Sequence, residues 1–209
     1  MNQPACVVLP LIASSLMLTA CQTMTSPSAG TTPLSDGKTL AGWHTVGDGT
    51  WTVEKGAFVG RADRTKLYGL LISDATYANF TVSFRFKCIS GDSGFYVRTL
   101  IEEPEKAKGM QVQVGPVGSG NGGIYESYGR GWLDRPTAEL ERKIVKGDDW
   151  NEMTITANGV AITVHVNGTK TAELKKDTSR PSGHFGLQMH AGQEVHVMFK
   201  DITLEELPK

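Results

Sequence analysis

The chain has 209 residues and a formal net charge of −1 at pH 7, with 21 Lys and Arg residues against 22 Asp and Glu residues. Because the basic residues are scattered and balanced, nothing in the composition points to a nucleic-acid partner. Once the N-terminal signal described next is removed, the remaining length suits a single all-β domain.

The N-terminus carries an apolar segment, from Val7 to Leu18, that ends in the sequence Leu18-Thr-Ala-Cys21. A short apolar run followed by small residues is typical of a secretory signal and is too short to span a membrane as a helix. The Leu-x-Ala-Cys pattern resembles the lipobox of bacterial lipoproteins, whose cysteine is acylated and becomes the mature N-terminus. We therefore expect residues 1–20 to be removed and Cys21 to be lipidated. The alternative is an ordinary cleaved signal followed by a chance cysteine.

The segment after the lipobox, residues 21–33, is rich in Ser, Thr, Gly and Pro. Such a composition predicts a flexible tether, which here leads to a folded domain over residues 34–209. The residue after the predicted lipidated cysteine is Gln22 and not Asp, and this pattern resembles that of lipoproteins sorted to the outer membrane in Gram-negative bacteria. The expected location is the cell envelope, with the lipid anchor in the outer membrane and the domain facing the periplasm or the surface.

Period-two alternation of apolar and polar residues predicts β-strands through most of the domain. It is clearest from Phe80 to Cys88, and Asn158-Gly159 and Asn167-Gly168 between alternating runs predict tight hairpin turns. The one helix-like stretch, residues 102–108, is short and charged and is expected to be a surface loop. Many short antiparallel strands with Gly-rich turns predict an all-β sandwich or jelly roll.

Only Cys88 remains as a free cysteine, because Cys6 leaves with the signal and Cys21 is the predicted lipidation site. An intrachain disulfide is therefore excluded, and stability must come from the packed core. Cys88 is in register with Phe84 and Phe86, which predicts a buried and inert thiol.

The same alternation predicts which polar side chains share the sheet face opposite the core. This outer face is predicted to hold three pairs of side chains at i, i+2 spacing: Tyr96 and Arg98, Gln111 and Gln113, and Gln188 and His190. Long polar side chains on several strands supply the donors and acceptors that sugar hydroxyls need. A merely solvated face of an antiparallel sheet has the same pattern, so both interpretations stay open.

Several segments in these strands follow one another in the order of a known family. They are Leu34–Trp43, Trp51–Gly60, Ser93–Arg98, Gly109–Gln113, Gly123–Gly131, Asp149–Asn151, Val166–Gly168, Gly186–His190 and Phe199–Ile202. On these segments the chain resembles the 3-keto-disaccharide hydrolase domain family, from Leu34 to about Leu207. The resemblance implies a concanavalin A-like jelly roll that hydrolyses disaccharides or glycosides oxidised at C3 of the sugar. Met110 and Gln113 depart from the family, where an aromatic residue and a carboxylate are common.

The implied chemistry sets the candidate residues. A keto group at C3 acidifies the hydrogen on C2, so a base can remove that proton and the resulting enediolate can expel the C1 substituent; later addition of water makes the net reaction a hydrolysis. Such a site needs a base, an acid and a stabiliser of the enediolate oxygen. The predicted catalytic residues are Glu126 and His190 as the acid/base pair and Arg98 as the stabiliser, a role for which Arg130 is a second candidate. The predicted substrate-binding residues are Tyr96, Gln111, Gln113, Arg130 and Gln188.

Each of these residues also has a simpler interpretation: Glu126 as a surface carboxylate paired with Arg130, Arg98 as a partner of an acidic neighbour, and His190 as a residue that closes a strand end through a backbone hydrogen bond. The sequence has no His-x-x-x-His, Cys-x-x-Cys or EF-hand spacing, so no cofactor is predicted. A divalent cation shared by Gln113, Glu126 and His190 is compatible with the residue types.

The expected partners are a carbohydrate substrate and, through the lipid, a membrane. Two other functions stay open. One is a carbohydrate-binding module without catalysis, for which Tyr128 and Trp132 are candidate binding platforms, and the other is a structural envelope protein. The Gly-rich segment 115–123 lacks the Gly-Lys-Ser/Thr ending of a phosphate loop and is expected to be a flexible loop beside the site.

Overall fold

The computed structural model describes residue 1 and residues 30–102, 104–147 and 149–208. The predicted signal peptide, the predicted lipidation site Cys21 and most of the predicted tether lie outside these ranges. Among the described residues, no helix has the length and apolar character needed to cross a membrane.

The described chain consists of strands and one short helix. In chain order the first elements are β1 (Thr32–Pro33), β2 (Trp43–Gly47), β3 (Thr50–Glu54), β4 (Ala57–Asp63), β5 (Gly69–Tyr77), β6 (Phe80–Ser90), β7 (Ser93–Glu102) and β8 (Lys106–Val114). They are followed by β9 (Ile124–Ser127), β10 (Gly131–Asp134), α1 (Ala138–Ile144), β11 (Asn151–Asn158), β12 (Ala161–Val166), β13 (Thr169–Leu174), β14 (Gly183–Met189) and β15 (Glu194–Glu206).

Within the described residues the strands form two antiparallel sheets. The eight-stranded sheet has the order β13-β12-β11-β6-β15-β4-β3, with β1 paired to β15, and the seven-stranded sheet has the order β10-β9-β8-β7-β14-β5-β2. Their facing sides form the core, in which the Phe84 ring of β6 stacks on Phe95 of β7 at 4.4 Å between centroids. Full burial of each such ring contributes roughly 2–3 kcal/mol. The prediction of an all-β antiparallel sandwich is confirmed.

One of the two predicted Asn-Gly hairpin turns lies where the sequence predicts it, and the other is shifted. Asn167 and Gly168 both have positive φ, 49° and 76°, as the predicted type I′ turn requires. The other predicted turn is shifted by one residue, because Asn158 pairs with Ala161 and so still belongs to β11. Its central residues are therefore Gly159 and Val160, and Gly159 supplies the positive φ of 55°.

Residues 102–108 correct the expectation of a plain surface loop. Glu102 ends β7 and Lys106 begins β8, so the stretch is a hairpin of the seven-stranded sheet. The helix among the described residues lies elsewhere, at α1, where the Thr137 side chain accepts a hydrogen bond from the backbone N–H of Leu140. Strand β1 falls inside the predicted tether, because pairing with β15 orders Thr32 and Pro33.

Cys88 lies where the pattern predicts, among the buried residues of β6 at 8% exposure. Burial raises the pKa of its thiol to about 12, so the sulfur stays protonated and unreactive at neutral pH.

Candidate functional site

A cavity of about 370 Å³ opens on the outer face of the seven-stranded sheet, the face turned away from the core. Its lining is Tyr68, Leu70, Asp92, Tyr96, Glu105, Ala107, Gln111, Gln113, Tyr125, Ser127, Tyr128, Trp132, Gln188 and His190. Strand alternation explains this selection, since Phe95, Val112 and Leu187 point into the core and their sequence neighbours point out. Five predicted site residues meet here: Tyr96, Gln111, Gln113, Gln188 and His190.

The cavity floor is a continuous chain of hydrogen bonds between buried side chains. Gln188 Nε2 lies 2.9 Å from the Tyr96 hydroxyl, which lies 2.9 Å from Ser127 Oγ. Ser127 Oγ in turn donates to Gln111 Oε1 over 3.3 Å. Burial strongly raises the pKa of Tyr96, so its hydroxyl keeps its proton.

The chain continues from the glutamines to a carboxylate. Gln111 Nε2 donates to Gln113 Oε1 at 3.2 Å, and Gln113 Nε2 donates to Asp92 Oδ1. Gly94 leaves room for the Gln111 side chain to lie across β7, because a Cβ at that position would lie 2.4 Å from Gln111 Cγ. The floor therefore depends on a glycine in β7 as well as on the polar side chains.

His190 is the histidine in the cavity wall. Its Nδ1 lies 2.7 Å from the carbonyl oxygen of Ala191, which can only accept, so Nδ1 carries the proton in the neutral ring. Nε2 is then the basic nitrogen, and it lies 3.4 Å from the Tyr68 hydroxyl, whose ring packs edge-on against the imidazole. Burial raises the pKa of Tyr68, with smaller contributions from acidic neighbours, so this hydroxyl remains a donor.

Two carboxylates also reach the cavity. Asp92 Oδ1 accepts hydrogen bonds from the Ser93 backbone N–H and from Gln113. Glu105 lies in the turn between β7 and β8, and its Oε2 is buried without a hydrogen-bond partner among the described residues. These groups add acid/base capacity to the His190 wall.

Aromatic rings form the outer part of the cavity. The Trp132 ring packs edge-on against Tyr125 at 5.5 Å between centroids. Trp132 is 40% exposed and Tyr128 is 53% exposed, which leaves flat apolar surface at the cavity mouth. These two residues are the platforms that the sequence suggested for a binding module.

Arg98 lies away from this cavity, although the strand pattern placed it on the same face as Tyr96. The register of β7 and β8 shifts after Val97, and Arg98 has a φ of 50°, so this bulge breaks the alternation. The buried guanidinium instead donates to the carbonyl oxygens of Ala78 and Gly159, at 2.6–2.8 Å. This geometry fits a structural cation and not a stabiliser of an enediolate.

Glu126 and Arg130 also lie outside the cavity lining. On β9 the lining residues are Tyr125 and Ser127, and Glu126 between them points to the other side of the sheet. Its carboxylate pairs with Arg130, whose Nη2 lies 3.1 Å from the buried Asp177. The hydrogen bonds from Arg130 hold the pKa of Glu126 below its ordinary value. The proposed cation set is therefore divided, with Gln113 and His190 in the cavity and Glu126 outside it.

Seven lining residues were not among those predicted from the sequence, and four of them lie in strands: Leu70, Ala107, Tyr125 and Ser127. The other three, Tyr68, Asp92 and Glu105, lie in connections between strands, where no periodicity indicates the direction of a side chain. The one available signal was the position of Asp92, directly before the matched segment Ser93–Arg98. Among the described residues, no group of three or more His, Cys, Asp or Glu side chains is arranged to hold a metal ion.

Comparison with solved structures supports the fold. A candidate glycosyl hydrolase from Parabacteroides distasonis ATCC 8503 is 21% identical, with a TM-score of 0.64 over 86% of this chain and 94% of that one. The carbohydrate-binding module CBM66 from Bacillus subtilis is 16% identical, with a TM-score of 0.60 over 79% of this chain and 96% of that one. The potassium-bound carbohydrate recognition domain of Emp46p is 12% identical, with a TM-score of 0.57 over 81% of this chain and 91% of that one.

The class that the two sheets define is the concanavalin A-like jelly-roll sandwich, and at these low identities the solved structures establish the fold alone. A model of the 3-keto-alpha-glucoside-1,2-lyase-like domain matches residues 30–205. The chain therefore belongs to this family, as the ordered sequence segments predicted. A search of curated proteins gave no significant match.

Proposed function

We propose that this protein is a carbohydrate-active lyase that releases the C1 substituent of glycosides oxidised at C3 of the sugar. The supporting observation is the His190 arrangement, in which the Ala191 carbonyl fixes the proton on Nδ1 and leaves Nε2 basic beside Tyr68. An oriented imidazole in a cavity with buried hydrogen-bonding groups has the properties of a general base. Family membership supplies the reaction class, and the cavity supplies the residues.

In the proposed reaction, His190 Nε2 takes the proton from C2, and the electrons of that C–H bond form the enediolate with the C3 oxygen. The Tyr68 hydroxyl donates a hydrogen bond to this oxygen as negative charge develops on it. When the C3 carbonyl forms again, a C1–C2 double bond forms and the C1–O bond breaks. The leaving oxygen takes up the proton that His190 Nε2 removed from C2, and water that adds across C1 and C2 afterwards makes the net reaction a hydrolysis.

The test is incubation of the purified protein with 3-keto-trehalose or methyl 3-keto-glucoside, with detection of the released sugar or alcohol. His190→Ala is expected to lower kcat by about 100-fold or more, the usual contribution of a general base. His165→Ala is the matched control, because His165 lies on β12 of the other sheet, between the buried Val164 and Val166. Absence of release from both substrates, or full activity of His190→Ala, would contradict the proposal.

A second candidate function is carbohydrate binding without catalysis. It is favoured by the exposed rings of Trp132 and Tyr128 at the cavity mouth, since aromatic faces pack well against the apolar face of a sugar ring. Measurable binding of a 3-keto-glycoside that is recovered intact after long incubation would decide for this function.

We also propose that the domain is tethered to a membrane of the cell envelope through lipid on Cys21. The support is the sequence Leu18-Thr-Ala-Cys21 and the polar segment that follows it. Two or more acyl chains on one residue give stable anchoring, which a single chain does not. Gln22 favours the outer membrane. In that location the domain would meet oxidised glycosides that pass through the envelope.

A further inference from the structure

The cavity described above has an unusual balance of charge. Asp92 and Glu105 are in its lining, and His190 is the basic side chain there, whereas no Lys or Arg is among the described lining residues. The two arginines predicted to serve the site are engaged elsewhere, Arg98 with backbone carbonyls and Arg130 with Glu126 and Asp177. A carboxylate, sulfate or phosphate on a ligand would therefore meet negative charge without a cation to offset it.

The hydrogen-bond chain of the floor has a fixed direction. The Ser93 carbonyl and the Asp92 carboxylate can only accept, so the amide nitrogens of Gln111 and Gln113 must point toward them. Gln111 Oε1 is then the acceptor for the Ser127 hydroxyl, and the Ser127 oxygen in turn accepts from the Tyr96 hydroxyl. The Tyr96 oxygen is left to accept from Gln188 Nε2.

This direction determines what the floor can offer a ligand. The nitrogen of each of the three glutamine amides donates a hydrogen bond to a protein acceptor. By contrast, Gln188 Oε1 has no donor among the described residues, although Gln188 is only 4% exposed. Glu105 Oε2 is a second buried acceptor without a partner among these residues. These two buried oxygens without partners complement a ligand that brings hydroxyl hydrogens.

From these two observations we infer that the cavity selects uncharged, hydroxyl-rich sugars and rejects sugars that carry a carboxylate, sulfate or phosphate. The inference rests on the proposed function in assigning a sugar to the cavity, and it adds the charge class of that sugar. Within the proposed reaction, the substrates are then neutral 3-keto-glycosides and not uronic acid derivatives.

The test compares the binding of methyl glucoside and methyl glucuronide, which differ by a carboxylate at C6, in titrations followed by calorimetry or ligand-observed NMR. The glucuronide is expected to bind at least tenfold more weakly, because like charges face each other in a partly desolvated cavity. Asp92→Asn and Glu105→Gln should each reduce this ratio severalfold, and so should an increase in salt from about 0.05 M to about 0.5 M. Asp63→Asn is the control, because it makes the same charge change on an exposed residue at the end of β4 in the other sheet.

Equal or tighter binding of the glucuronide would overturn the inference. A binding ratio that neither salt nor the two cavity variants change would also overturn it. The same holds if Asp63→Asn changes the ratio as much as Asp92→Asn does, or if neither sugar binds. The salt series needs no mutation, so it remains informative if Asp92→Asn unfolds the protein. Because neither sugar has a keto group, the preference for the uncharged sugar can be observed even if the protein releases nothing from 3-keto substrates. Failure of that release would count against the lyase proposal alone.

Discussion

Arg98 carries a positive charge at a position that is only 2% exposed. Its guanidinium bridges the turn between β5 and β6 to the turn between β11 and β12, through the carbonyls of Ala78 and Gly159. Hydrogen bonds from a charged group to buried acceptors contribute more than neutral ones, and their loss leaves those acceptors unsatisfied. This residue therefore joins the connection between the two sheets, from β5 to β6, to the β11–β12 hairpin, away from the cavity for which the sequence suggested it.

Arg98→Lys keeps the charge but cannot reproduce the planar fork of donors. We expect the free energy of unfolding to fall by about 3 kcal/mol, from the loss of charged hydrogen bonds. Urea denaturation measures this change, and kcat on a 3-keto-glycoside is expected to stay within about twofold. A large loss of kcat in a variant of unchanged stability would return Arg98 to a catalytic role.

Glu126 gives a pH-dependent prediction. Its hydrogen bonds with Arg130 lower its folded-state pKa below the ordinary value of 4.5, so its contribution to stability is complete above that value. The contribution is lost as the pH falls through the lowered pKa, because the folded carboxylate must then take up a proton. Glu126→Gln should therefore cost about 1 kcal/mol at pH 7, and this cost should shrink from about pH 3 downward, as the pH passes through the lowered pKa.

The measurement is urea denaturation of the native protein and of Glu126→Gln at pH 7 and from about pH 3 downward. Glu205→Gln is the control, because Glu205 is exposed near the end of β15 and makes no ion pair among the described residues. A stability difference between native protein and Glu126→Gln that does not change with pH would show that the Arg130 pair does not set the pKa.

At the scale of elements, helix α1 organises the Gly-rich segment 115–123, which packs against the cavity residue Trp132. Glu141 is 1% exposed, and its carboxylate accepts hydrogen bonds from the backbone N–H groups of Gly118, Gly120 and Asn121, at 3.0–3.2 Å. The Trp132 ring packs on this segment so closely that a Cβ at Gly123 would lie 2.8 Å from it. The segment is thus held by the Glu141 carboxylate and supports the aromatic wall of the cavity. These contacts correct the expectation of a flexible loop.

Glu141→Gln replaces one carboxylate oxygen by a donor that would face backbone N–H groups. A loss of about 2–4 kcal/mol in the free energy of unfolding is expected, together with a change in tryptophan fluorescence as Trp132 loses its support. Glu139→Gln, on the exposed side of the same helix, is the matched control. If the two variants behave alike in urea denaturation and fluorescence, the loop does not depend on the Glu141 carboxylate.

At the scale of the whole molecule, the sandwich forms one core between two sheets, and the candidate site lies on the outer face of one of them. The structure describes this sandwich from β1 onward, and the proposed anchor precedes it in sequence. The described residues of the core and the cavity come from the two sheets and their connections, and we expect the proposed anchor to affect location without affecting the site.

Cys21→Ala in the full chain should abolish metabolic labelling with palmitate and move the protein from the membrane fraction to the soluble envelope fraction. Its activity on a 3-keto-glycoside should stay within about twofold. Cys88→Ala is the matched control, because Cys88 is buried in β6 and should have no effect on labelling or on membrane attachment. Retention of Cys21→Ala in the membrane would contradict the lipid anchor.

The sequence by itself determined the all-β fold, the buried Cys88 and the shared direction of Tyr96, Gln111, Gln113, Gln188 and His190. These features follow from period-two alternation, because a regular strand sends every second side chain to the same face. The family also followed from the sequence, through segments that follow one another in the order typical of the family.

The tertiary structure alone decided the rest of the candidate site. A bulge after Val97 turned Arg98 away, and the parity of β9 sent Glu126 to the other side of the sheet, because one residue of shift exchanges the two faces. Tyr68, Asp92 and Glu105 come from connections far apart in the sequence, and only the packing of the strands brings them to one cavity. Local periodicity fixes the direction of a side chain within a strand, whereas the meeting of distant loops depends on the whole fold.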